Sequence, residues 1–201
     1  MSSLVVLLVR PIAFLLASIL TLAVTLLGTS DAQAFYWGPA RFPGASTTYL
    51  IDGSYTWSSS SVQDAVADWN YSAYFGLGYT GGGNNHIQGA DLGCDFGLAG
   101  MSPADNGGTR NGFTIQVNNG CGTPWYDGTG QPPSNYYDVR SVMRHELGHA
   151  IGLCHNNDQF ELMNTFLQLG VSYGISAEDV TGVNWAYQPG YVGPGPSPGC
   201  P

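Results

Sequence analysis

Three of the chain's four histidines fall in one short run, His145-Glu146-Leu147-Gly148-His149-Ala150-Ile151-Gly152-Leu153-Cys154-His155. Imidazole is a common ligand for transition metals, and the spacing here suits one ion. His145 and His149 are four residues apart, so on a helix they share a face. Glu146 stands one step round the helix, beside the ion, where a carboxylate can act as general base on a bound water. His155 would point away if the helix continued. Gly152 removes that obstacle, because glycine accepts the left-handed conformation that ends helices. Three neutral imidazoles leave one position open, the pattern of a catalytic rather than a structural zinc, which lowers the pKa of its water to about 7. Cys154 is not needed as a ligand, so a disulfide or a buried thiol is expected there.

The elements that must position this run are partly readable. Val139, Val142, Met143, Leu147, Ala150 and Ile151 form the apolar side of the helix that carries it, entered from the loop Pro132-Pro133-Ser134-Asn135. Thr47-Thr48-Tyr49-Leu50-Ile51-Asp52 predicts a first strand. Ser61 is a candidate cap for a helix with Val62, Ala65, Val66, Trp69 and Ala73 on one face. The glycine-rich stretch 76–112 suggests short strands and long loops, and the alternation in 113–118 predicts another strand. Ser176 and Asp179 form a near capping box for a last helix with Val180, Val183 and Tyr187. Beyond Gln188 the chain is rich in Pro and Gly and is expected to be extended.

The complete pattern H-E-x-x-H-x-x-G-x-x-H is the signature of metzincin metallopeptidases. Met163 follows His155 by a short interval and resembles the methionine turn beneath the zinc in that group. The interval, the stretch 175–187 and, faintly, Leu98-Ala99-Gly100-Met101-Ser102-Pro103 resemble the matrixin (matrix metalloproteinase) branch. The resemblance implies an α+β, zincin-like domain: a twisted, mostly parallel five-stranded sheet with three helices over an active-site cleft. It implies a zinc-dependent endopeptidase with His145, His149 and His155 as ligands and Glu146 as general base. It also implies a protein or peptide substrate, paired to an edge strand near 98–101. The Tyr-Pro that follows the methionine in matrixins is replaced by Asn164-Thr165, so substrate preference does not carry over. The alternative readings are a non-catalytic zinc- or peptide-binding module of the same fold, and a hydrolase of non-peptide amides. Glu146 favours the enzyme, since a binding module has no need of it.

The remaining features set the context. Residues 12–27 are almost wholly apolar, follow Arg10 and precede the small-x-small site Ala32-Gln33-Ala34. Residues 1–34 are therefore expected to be a signal peptide, 35–188 the catalytic domain and 189–201 a tail. The protein would be secreted, or, alternatively, membrane-anchored through residues 11–27. So short a segment ahead of the first strand carries no cysteine to block a metal, so activity without propeptide removal is expected. The net charge is −9 with no lysine, which disfavours nucleic acid and anionic membranes as partners. A monomer without a stable membrane partner is expected. Cys94, Cys121, Cys154 and Cys200 allow three pairings, with Cys94–Cys121 and Cys154–Cys200 favoured. Matrixins hold a second, structural zinc through three histidines and an aspartate, but only His86 remains here, so none is expected. Asp91, Asp95 and Asp105 are candidates for calcium, set against ordinary turn chemistry.

Overall fold

Phe113, Ile115 and Val117 alternate along one strand, and all three are buried. Tyr49 and Ile87 on neighbouring strands are buried with them, so one face of a sheet forms the floor of the core. The computed structural model describes residues 40–94, 98–106 and 108–190. Its elements run β1 (Ser46–Ile51), α1 (Ser59–Ser72), β2 (Gly76–Tyr79), β3 (Asn85–Ala90), β4 (Ala99–Asn106) and β5 (Thr109–Asn118). They continue with β6 (Trp125–Tyr126), β7 (Tyr137–Asp138), α2 (Val139–Ala150) and α3 (Ala177–Tyr187).

The main sheet has the order β2-β1-β3-β5-β4. β1 pairs in parallel with β2 and β3, and β3 with β5; only β4, at the edge, is antiparallel. This is the expected mostly parallel, five-stranded α+β arrangement with three helices. The glycine-rich stretch holds three strands whose alternation is hidden by residues without side chains, and β5 reaches back to Thr109, ahead of the expected start. The two-residue parallel pair β6–β7 was not anticipated. Its Tyr137-Asp138 leads straight into α2.

One helix start needs correction. Ser61 is not the cap of α1; Ser58 is, its Oγ accepting the amide of Ser60. Ser61 sits in the first turn, buried, and its hydroxyl donates to Asp127, which also accepts the amide of Ser58. Four consecutive serines make the cap ambiguous, and a carboxylate far along the chain selects the register.

α1 lies against α2. Trp69 is fully buried and donates its indole N–H to the carbonyl of Arg144 at 3.0 Å. Arg144 in turn reaches Asp68 and the carbonyl of Tyr173. Burying each large apolar side chain in this layer contributes about 1.5–3 kcal/mol. Cys94 and Cys121 are bridged, with Cα atoms 5.2 Å apart, as favoured from sequence, which ties the loop after β3 to the one after β5. Cys154 is buried and disulfide-bonded. Its expected partner Cys200 lies outside the described residues, as do the segment 1–34 and the tail from 191. Among the described residues, no helix is long and apolar enough to cross a membrane.

Candidate metal centre

The start of α2 is fixed by a buried carboxylate. Asp138 caps it, accepting the amide of Arg140, and its second oxygen accepts hydroxyls from Ser141 (2.7 Å) and Ser172 (2.8 Å). Ser141 also accepts the amide of Tyr173 at 2.7 Å. The chain that follows Met163 is thereby lashed to the helix carrying the histidines.

The end of α2 is a Schellman turn. Leu153 N–H donates to Gly148 O at 2.9 Å and Gly152 N–H to His149 O at 3.0 Å. Gly152 has φ +112°, a region that other residues rarely adopt. The expected reversal is thus present, and it swings His155 back toward the helix.

The three Nε2 atoms converge. They are 3.0 Å apart for His145 and His149, 3.1 Å for His149 and His155, and 3.2 Å for His145 and His155. His145 Nδ1 lies 2.7 Å from the carbonyl of Leu162, and His149 Nδ1 lies 2.7 Å from that of Leu153. A carbonyl only accepts, so both Nδ1 atoms carry the proton and both Nε2 atoms present lone pairs. Acceptor atoms facing one another this closely repel unless a cation lies among them. Tetrahedral zinc with Zn–N of 2.0–2.1 Å requires a nitrogen spacing of about 3.3–3.4 Å, a few tenths of an ångström wider than observed. The donor set therefore fits zinc, and the backbone acceptors behind it orient the rings as metal-bound histidines need. Among the described residues these three histidines are the group able to hold a metal ion.

Met163 forms the floor. It is buried, and its Sδ lies 2.5 Å from where a Cβ on Gly148 would stand, so the helix can approach only because residue 148 has no side chain. Its carbonyl accepts the amide of Asn156 at 2.8 Å, closing the loop that presents His155.

Burial dominates the electrostatics. It lowers His145 to about 4, His149 well below its ordinary value and His155 in the same direction, which keeps the imidazoles neutral. Burial pushes the carboxyl of Glu146 up from 4.5 to about 8, and its Oε2 has no hydrogen-bond partner. A raised carboxyl pKa means that the folded, metal-free chain binds this proton more tightly than the unfolded chain. Stability from the protonated group is full below about pH 4.5 and is lost as pH rises through about 8. Metal-free Glu146→Gln should therefore be more stable than the metal-free parent, by a margin that opens across that window. Urea midpoints of both proteins with chelator at pH 5, 7 and 9 test this; a margin independent of pH would contradict it.

Other residues singled out in the sequence fall elsewhere. His86 Nδ1 lies 3.2 Å from Asp52 on the sheet. Asp105 is gripped by Arg110, Asp91 accepts the amide of Gly93, and Asp95 is outside the described residues. The segment expected as an edge strand is β4, which extends further than foreseen, to Asn106. Sequence reading missed Asp138 and Arg110, which hold the two ends of α2, and placed Tyr187 on the last helix without its bond to Ile151 O. Only Asp138, a cap-forming residue directly ahead of the apolar pattern, carried a local signal.

The family model for Matrixin, a peptidase family, matches residues 29–188. No curated protein matches the chain. The chain belongs to the matrixin family of zinc-binding peptidases.

Proposed function

From this membership we propose that the protein is an exported, zinc-dependent endopeptidase in which His145, His149 and His155 hold the ion and Glu146 is the general base. The observation that carries the reading is the buried carboxyl of Glu146, its Oε2 without a hydrogen-bond partner, on the helix whose histidines converge. Bound zinc supplies Lewis acidity and lowers the pKa of water. Glu146 would take a proton from the water as its oxygen attacks the scissile carbonyl, and would pass that proton to the amine that leaves as the C–N bond breaks. His145 and His149 are held as neutral donors by the carbonyls of Leu162 and Leu153. An extended peptide adds to the free edge of β4, which ends the sheet.

Residues 1–34 serve as the export signal, 35–188 form the catalytic domain and 189–201 a tail. The Cys94–Cys121 bridge supports an oxidising destination. The test is cleavage of a mixed peptide library by the purified protein. Hydrolysis should stop with a zinc chelator and return with added zinc. Undiminished hydrolysis in chelator would sink the proposal, and tight zinc binding without cleavage would favour the non-catalytic module.

A further inference from the structure

The last carbonyls of a helix have no partners within it, and a buried helix end must find them elsewhere. In α2 the Schellman turn supplies donors to Gly148 and His149. The next two carbonyls, of Ala150 and Ile151, need others. Arg110, on β5 and only 5% exposed, donates Nη1 to Ala150 O at 2.8 Å and also to His149 O at 2.5 Å. Tyr187, on α3, donates its hydroxyl to Ile151 O at 3.1 Å. The stretch between two candidate ligands is thus gripped from the sheet on one side and from the last helix on the other.

Arg110 is itself held rigidly. Nε and Nη2 form a forked pair with Asp105 on β4, at 3.0 and 3.2 Å. Its backbone amide donates to Arg41 O at 2.8 Å. The guanidinium carries a full positive charge at the negative end of the helix, where a cation is favoured. A lysine could bring the charge but not the fork, so it could not keep both the carboxylate and the two carbonyls.

We propose that Arg110 is a positioning residue for the metal centre: by holding the carbonyls of His149 and Ala150 it sets the direction in which His149, and beyond the Gly152 turn His155, present Nε2. Tyr187 is the lesser support of the same turn. The inference rests on the zinc-peptidase reading for its consequence in catalysis, but its central readout is metal binding.

The experiment compares the parent with Arg110→Met, Arg110→Lys and Tyr187→Phe, all expressed from the full chain. Zinc affinity is measured by competition with a chromophoric chelator, and ligand geometry by the visible spectrum of the cobalt-substituted proteins. Leu77→Ala, a cavity in β2 at the opposite edge of the sheet, serves as the control for lost stability alone. Arg110→Met should weaken zinc binding about 10- to 100-fold, the usual effect of losing a group behind a ligand. Its cobalt spectrum should change, and kcat should fall while KM holds. Arg110→Lys should recover only part of the affinity. Leu77→Ala should melt earlier yet bind zinc as the parent does. Zinc affinity and cobalt spectrum equal to the parent's in Arg110→Met would overturn the proposal. So would an equal loss of affinity in Leu77→Ala. If Arg110→Met does not fold, Arg110→Lys decides: weakened binding supports the role, and parental binding overturns it. A parent that binds zinc but cleaves nothing would defeat the peptidase reading and leave the comparison of affinities intact.

Discussion

Glu146→Gln loses roughly 10²–10⁴-fold in peptide hydrolysis, the usual worth of a positioned general base, while zinc content stays near that of the parent. Glutamine has nearly the shape of glutamate, so the helix and the histidines need not move. It cannot accept the proton that the carboxylate accepts. The carboxylate's unpartnered oxygen makes the assignment sharp, because the substitution breaks no described hydrogen bond at Oε2. Turnover and metal content are measured on the same sample. Substantial remaining turnover would remove Glu146 from the chemistry, and loss of zinc would make it structural.

His149→Ala abolishes tight metal binding, and activity falls with it. His149 stands closest to both other rings, with its Nε2 at 3.0 and 3.1 Å from theirs. Its loss leaves two donors, too few for the tetrahedral set. Among the described residues, Cys154 is disulfide-bonded and His86 lies against Asp52, so neither can take its place. Spreading a zinc site's binding energy over its ligands puts the cost near 3–4 kcal/mol, or roughly 10²–10³-fold in affinity. The parent should also melt at a higher temperature with zinc than without, whereas the variant should show no such gain. A variant that keeps parental zinc affinity would show that the ion is held elsewhere.

Much of this was legible in the sequence because it is local. A four-residue spacing puts two histidines on one helix face whatever surrounds them. Gly152 marks the turn because its backbone needs a positive φ, a property of the residue itself. The capping box of Ser176 and Asp179 is likewise made within four residues, and both of its hydrogen bonds are present. The proposed metal ligands, the proposed general base and the methionine floor all lie in one stretch of nineteen residues from 145 to 163, so their order and spacing carry the family signature.

What tertiary structure alone decided is what reaches across the chain. Which of four serines caps α1 was settled by Asp127, far along the sequence. Arg110 falls in the glycine-rich stretch ahead of the predicted strand, and nothing nearby hints that its head group satisfies carbonyls 39 and 40 residues away. Asp105 looked like a loop carboxylate and proved to be the other half of that fork. The reason is physical. Spacing along the chain governs which side chains share a helix face or a turn. The partners of a buried helix end depend instead on which strand the fold lays beside it, and each unpaired carbonyl there takes whatever donor that packing brings within reach.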